Sequence, residues 1–395
     1  MKKVLVLAST FPRWKHDSRP AFVYNICRHV KKYKMIVLAP HHLGARKKEN
    51  MDDVTVYRFP YFPEKYQTLA SGAGLLTNAK SLSGKAQVPF FFSFMSLNLL
   101  RVIKKENPDV IHAYWVIPCG IVAAMLTKKP LVITSLGSDV FALHNAMFRK
   151  MQKKAYKDAK KVLVLSNALK NEIAHRFPQI EKKIVIMPLG IDSGFKPGGF
   201  AKDLRDKHKG RIILTIGRLT EQKGVQYLIS ALPSIIQQHP DARLVIVGDG
   251  SYKKELESMI KKHKVKDYVT FVGPVAHENI ADYLSVADVF VFPSLSDSRL
   301  GTEGFGLAAV EALAVGTPTV ATNIGGIVDI IKDKETGLLV SQKNSKAIAE
   351  KVNLILSDDA LRQKLSIQGK RHVKKNFTWE SIARRLERVY DQVLR

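Results

Sequence analysis

Residues 303–311 of this 395-residue chain read Glu303-Gly304-Phe305-Gly306-Leu307-Ala308-Ala309-Val310-Glu311. They follow an apolar run at 289–292 and a loop at 293–302, and they open a helical pattern. Gly304 and Gly306 carry no Cβ, so a ligand can come close to the backbone there. The free N–H groups of a first helical turn, at the positive end of the dipole, suit a diphosphate. Glu311 lies four residues after Leu307, on the same helix face one turn deeper. A carboxylate there can accept two hydrogen bonds from vicinal hydroxyls such as a ribose presents. Alone, Glu303 would be an acidic helix start favoured by the dipole, and Glu311 a solvated helical residue. The glycines between them shift the reading toward a ligand site.

A second group, Gly217-Arg218-Leu219-Thr220-Glu221-Gln222-Lys223-Gly224, follows the apolar run at 212–216. Arg218 and Lys223, flanked by glycines at a strand's end, suit a diphosphate that gains charge as it leaves. Gly248-Asp249-Gly250 also follows an apolar run. It lacks the third glycine and the acidic partner of a dinucleotide fingerprint, and reads as a tight, ligand-facing turn. The chain has no G-x-x-x-x-G-K-S/T loop, no D-x-D pair, no cluster at metal-ligand spacing and no G-x-S-x-G elbow. Neither a bound metal nor a resident cofactor is expected.

These residues need a frame. Short apolar runs alternate with helical patterns along the whole chain, as βα units around parallel sheets require. The runs lie at 4–8, 35–39, 54–59, 110–113, 131–135, 162–165 and 184–187, and then at 212–216, 244–247, 269–272, 289–292, 319–321 and 338–340. Most are almost wholly apolar, as strands covered on both faces must be. A turn-rich stretch at 193–200 separates the two series. The expected fold is α/β, with two Rossmann-like, doubly wound domains facing each other across a cleft: 1–193, a linker at 194–200, and 201–378. Ligands in such sheets bind beyond the carboxyl ends of the strands, where both groups sit. A last amphipathic helix spans 379–394, with Ile382, Leu386, Val389, Tyr390 and Val393 on one stripe.

The length calls for more than one core, and the 46% hydrophobic and 25% charged residues are those of a globular protein. No apolar run reaches the ~18 residues that span a bilayer; the nearest candidate is 89–100. Residues 1–7 form a first strand rather than a signal peptide, because their apolar stretch is too short. Two cysteines make neither a disulfide framework nor a metal quartet, which fits a cytoplasmic setting. The net charge of +28 is unevenly spread: 33 Lys/Arg against 12 Asp/Glu up to Lys196, and 30 against 23 beyond it. Such a field gathers anionic partners near the first half. Charge without a nucleic-acid-binding motif does not make nucleic acid an expected partner. Phosphorylated substrates and an anionic membrane surface remain. The stretch 147–161, rich in Lys and Arg beside Met147, Phe148, Met151 and Tyr156, could rest on anionic headgroups or form an ordinary surface helix.

At these residues the sequence resembles the retaining glycosyltransferases of family 4, which have the two-domain GT-B fold. The resemblance covers nearly the whole chain and is most specific from Gly217 to Val340, including Gly316-Thr317-Pro318, Gly325-Gly326 and Glu335-Thr336-Gly337-Leu338. It implies that Glu303 contacts the hydroxyls of the donor sugar, Glu311 holds the ribose, and Arg218 and Lys223 neutralise the diphosphate. The backbone of 304–307 would line sugar and phosphate, and that near Val275 would meet the base. It further implies that helix 379–395 returns to the first domain and that no metal is needed. The sugar would be delivered with retention, the departing phosphate oxygen taking the acceptor's proton.

The first half departs from the family pattern. Its first loop lacks the usual Gly-Gly, and Arg19 could supply a charge there. Leu136-Gly137-Ser138-Asp139 stands where the family has His-Gly-x-Asp, so the donor-contacting histidine is absent. His112 could stand in for it or be a structural residue, and Asp139 is a candidate acceptor-side carboxylate. The expected partners are a nucleotide-diphosphate sugar, with UDP or GDP as the nucleotide, and a saccharide or lipid-linked acceptor at the membrane surface. A small soluble acceptor or nucleotide-sugar epimerisation are the alternatives.

Overall fold

The structure, a computed structural model, describes residues 1–15, 17, 21–71, 75–141, 146–297 and 303–395. The chain divides into two compact units, Met1–Gly190 with Trp379–Arg395, and Ile191–Thr378. The division falls just ahead of the turn-rich stretch at 193–200.

The first unit contains β1 (Lys3–Leu7), α1 (Phe22–His29), β2 (Lys34–Pro40), β3 (Lys48–Met51), β4 (Val54–Phe59), α2 (Leu82–Glu106), β5 (Val110–Tyr114), α3 (Ile121–Leu126), β6 (Leu131–Ser135), α4 (Ala146–Asp158), β7 (Lys161–Val164) and β8 (Ile184–Ile186). The strands form one sheet in the order β3-β4-β2-β1-β5-β6-β7-β8. All neighbours run parallel except β3 and β4. The period of two along β1 sorts its side chains between two cores. Leu5 and Leu7 enter the layer shared with α2, α3 and α4, whereas Val4 and Val6 enter the opposite one. The sequence pattern missed β3, whose residues Lys48-Glu49-Asn50-Met51 are mostly polar. An antiparallel edge strand needs no apolar run, because only one of its flanks is paired.

Helix α2 begins at the N-cap Ser81, whose Oγ accepts from Gly84 N at 3.1 Å. It ends at Asn107 in the left-handed region (φ 45°). Phe91, Met95 and Leu99, spaced by four, are wholly buried against the sheet. The apolar stretch is longer than the 89–100 run suggested: α2 is long and apolar enough, by length and composition, to cross a bilayer. Its inner face nevertheless forms part of the first unit's core.

The second unit contains β9 (Ile212–Ile216), α5 (Val225–Gln238), β10 (Arg243–Val247), β11 (Val269–Gly273), β12 (Val289–Phe292), α6 (Leu307–Val315), β13 (Thr319–Thr322) and β14 (Leu338–Val340). The parallel sheet has the order β11-β10-β9-β12-β13-β14. Connections diverge on either side of β9, so the loops after β9 and β12 straddle the switch in strand order, where such sheets hold ligands.

The chain then returns to the first unit as α7 (Trp379–Val393). Its stripe of Ile382, Leu386, Val389 and Tyr390 fills the layer beneath α1. The Tyr33 hydroxyl donates to Asp391 at 2.5 Å, and Arg385 donates to the Ile186 carbonyl at 2.8 Å. A Cβ on Gly190 would lie 2.7 Å from the Trp379 ring, so only glycine lets the helix seat there.

Candidate active site

In the second unit, glycines let the loops after β9, β10 and β12 pack against one another. A Cβ at Gly248 (φ +125°) would lie 2.0 Å from the Gly217 carbonyl oxygen, and one at Gly224 (φ +68°) 1.8 Å from that of Pro293. Leu219 N donates to Asp249 O at 2.9 Å. The Gly248–Gly250 turn thus braces the Arg218 loop from below. The loop ends in Gly224, the left-handed N-cap of α5. Arg218 itself is exposed, and a concavity opens beside it, lined by Gly217, Lys223, Val247 and Phe292 among others.

Lys223 crosses from this loop to Glu303, 80 residues further on: Nζ donates to Oε2 at 2.5 Å, with both side chains mostly buried. The ammonium also lies 5.2 Å from the centroid of the Phe292 ring, and Ser294 Oγ donates to the same carboxylate oxygen at 3.4 Å. The Glu303 carbonyl accepts from Gly326 N at 2.9 Å, and a Cβ at Gly326 would approach Gly304 O to 2.5 Å. The paired glycines at 325–326 therefore hold the strand of chain that presents Glu303. An anion arriving between Arg218 and Lys223 would compete with Glu303 for the ammonium and free its carboxylate for hydroxyl donors.

Gly306 (φ +97°) precedes α6, and Gly316 (φ +90°) closes it. The helix is apolar apart from Glu311, and its first turn is closed in part by Ala309 N, which donates to the Gly306 carbonyl at 2.9 Å. Phe305 is buried, its ring 6.1 Å from that of Phe377, so at this position only the backbone is available to a ligand. Leu307 lies at the surface. Glu311 is 5% exposed, and its Oε1 lies 2.8 Å from His277 Nε2. This hydrogen bond raises the His277 pKa, against partial burial, which lowers it. The imidazole also lies 5.8 Å from the Phe195 ring. His277 sits two residues beyond Val275, in the loop after β11 where the base was expected. Nothing in its sequence neighbourhood singled out His277, nor did spacing reveal that Ser294 faces Glu303.

The first-unit candidates are placed differently. His112 is wholly buried on β5, with Nδ1 2.7 Å from the Tyr390 hydroxyl and Nε2 2.7 Å from Thr134 Oγ1. Burial pushes its pKa down to about 3. It fastens α7 to the sheet and presents no nitrogen to a ligand, so it does not replace the histidine missing at Leu136. Asp139 is also wholly buried: Oδ2 accepts from Val116 N at 2.8 Å, and Oδ1 from Leu136 N and Gly137 N at 3.0 Å each. Burial raises its pKa despite those donors. It ties the loop after β6 to the one after β5 rather than facing an acceptor. Arg19 lies outside the described residues. The first loop is nevertheless anchored by Arg58, buried on β4, which donates to the Pro12 and Arg13 carbonyls at 3.0 and 2.9 Å and pairs with Glu49 at 2.5 Å.

The family described as Glycosyl transferases group 1 matches residues 200–372, and Glycosyltransferase Family 4 matches residues 21–195. The uncharacterized glycosyltransferase MJ1607 of Methanocaldococcus jannaschii is 34% identical over 237 residues, covering 58% of this chain and 59% of that protein. The chain thus matches less than two thirds of that relative's length. The putative glycosyltransferase YtcC of Bacillus subtilis is 30% identical over 279 residues, 65% of this chain and 67% of the relative. The crystal structure of Anabaena Alr3699/HepE in complex with UDP is similar in fold, with a TM-score of 0.74 at 18% identity, covering 99% of this chain and 100% of that one.

Proposed function

Since this chain belongs to the family 4 glycosyltransferases, we propose that it moves a sugar, with retention of configuration, from a nucleotide-diphosphate donor to an acceptor at a membrane surface. The observation that carries the reading is the Lys223–Glu303 pair, set beside the glycine-flanked start of α6 with Glu311 one turn deeper. Glu311 takes the ribose hydroxyls, the first turn of α6 with Arg218 and Lys223 takes the diphosphate, and Glu303 takes the hydroxyls of the sugar. The base lies along the backbone near Val275.

In the reaction the bond from the anomeric carbon to the diphosphate oxygen breaks, and its electron pair stays on that oxygen. The acceptor hydroxyl forms the new bond from the face the diphosphate leaves and gives its proton to the departing phosphate oxygen. No protein nucleophile is needed. Arg218 and Lys223 supply positive charge where negative charge develops, in the place a metal ion would otherwise take. The strongly basic first half favours an anionic or lipid-linked acceptor, or a growing glycan on such a lipid, at the cytoplasmic face of a membrane.

A thermal-shift panel of UDP-, GDP- and ADP-sugars tests the donor half. A ligand at a hundredfold excess over Kd stabilises the native state by about 2.7 kcal/mol, so the correct donor raises the melting temperature and the others leave it unchanged. If no nucleotide sugar moves it, the reading fails. Product analysis with the donor so identified then separates transfer, with the anomer retained, from epimerisation.

A further inference from the structure

Helices α2, α3 and α4 lie side by side on one face of the first unit's sheet and share its core. Their outer surface is unusual. Of the fifteen large hydrophobic residues exposed among the described residues, seven lie on these three helices. Phe90, Phe94, Leu97 and Leu100 form a ridge along α2, each between 39% and 49% exposed, with Leu82 near the start of the helix. Met125 on α3 and Met147 on α4 are exposed as well. Scattered exposed hydrophobics are ordinary, but a contiguous group marks an interaction surface. On the same face of the sheet, beyond α3, α4 exposes Arg149, Lys150, Lys153, Lys154 and Lys157, with only Asp158 as an acidic residue among its own thirteen.

Charge decides the occupant. A second copy of the chain would bring the same cations to this face, from a half holding 33 Lys/Arg against 12 Asp/Glu, and like charges oppose such a contact. A helix with aromatic and aliphatic residues outward, on the same face as a cationic helix, matches an anionic bilayer: apolar groups enter the headgroup boundary while lysines and arginines meet lipid phosphates. The wholly buried Phe91, Met95 and Leu99 on the inner face of α2 keep the helix in the core, so it lies on a membrane rather than spanning it. We propose that the α2–α3–α4 face docks this protein on anionic lipid, with α2 as the inserting ridge and α4 as the headgroup contact. The inference deepens the proposed reading of a membrane-borne acceptor. Lipid binding and donor binding are measured separately, so either can fail without the other.

The test is co-flotation of the full chain with vesicles of phosphatidylcholine alone or with a minority of phosphatidylglycerol. The parent is expected to float with the anionic vesicles only, and less so as salt rises. The variant Phe90→Ser/Phe94→Ser/Leu97→Ser should bind those vesicles at least roughly tenfold more weakly at low salt. Lys150→Gln/Lys153→Gln/Lys157→Gln should also weaken binding and flatten its salt dependence. Melting temperatures and nucleotide-induced shifts like the parent's establish that both variants are folded. The proposal is overturned if the parent stays unbound with both vesicle types, or if the ridge variant floats like the parent. A concentration-dependent dimer in light scattering that the ridge variant abolishes would also overturn it, by assigning the face to a second copy.

Discussion

The two units carry acidic residues and a histidine near the carboxyl ends of similar parallel strands, yet they use them in opposite ways. In the first unit, Asp139 and His112 are wholly buried, and both oxygens and both nitrogens are engaged within the fold. In the second, Glu303 is joined to the partly exposed ammonium of Lys223, and Glu311 is joined to a histidine whose side chain is 70% exposed. A side chain that already satisfies the backbone around it is a strut. One whose partner can be displaced is available for chemistry. Closely packed glycines recur around Lys223 and Glu303 because they bring backbone near backbone and let the two side chains meet across the loops.

Substitutions can break this contrast in either unit. Glu303→Ala should reduce kcat by about a thousandfold in a steady-state transfer assay, with the protein still folded. Asp139→Ala should do the reverse. It strands three backbone N–H groups and costs roughly 3 kcal/mol or more of stability in denaturant unfolding, while donor affinity in calorimetry stays like the parent's. If Asp139→Ala instead spared stability and abolished transfer, the first unit would hold a reactive carboxylate and the comparison would collapse. Lys223→Ala should lower kcat by about a hundredfold, and Glu311→Ala should weaken donor binding by about tenfold or more, with little change in melting temperature for either.

The smallest expected effect concerns His277. Its hydrogen bond to Glu311 raises its pKa above the ordinary 6.5. The resulting stabilisation is fully present below about that pH and is lost as pH climbs through the raised value. The exposed imidazole keeps the effect small. The melting temperature of the free protein should fall slightly over that window, and donor affinity should rise as Glu311 is released. His277→Gln should show neither trend. A pH dependence unchanged in that variant would assign the titration to another group.

How much of this the sequence revealed follows from the same contrast. Strands such as Ile212–Ile216 and Leu131–Ser135 are apolar on both faces and stand out, whereas Lys48–Met51 pairs at an edge through its backbone and leaves no apolar pattern. The loops after β9 and β12 were legible because glycines and charges follow those strands at short spacing. That Lys223 meets Glu303 could not be read, since 80 residues and a sheet crossing separate them. The acceptor side misled for a physical reason: a polar residue at a strand end reads the same in sequence whether it faces solvent or the core. His112 did carry a hint, lying between Ile111 and Ala113 in a run that is buried throughout. The apolar length of α2 was seen only in part, because Leu82, Val88, Val102 and Ile103 extend it with interrupted spacing.

The most direct test of the central claim is a calorimetric titration of the matching nucleotide sugar into the parent and into Arg218→Ala/Lys223→Ala. The parent should show a single site, and the double variant an affinity at least about a hundredfold weaker, since two charged contacts to the diphosphate are lost. Equal affinity in the two proteins would place the donor elsewhere and contradict the account.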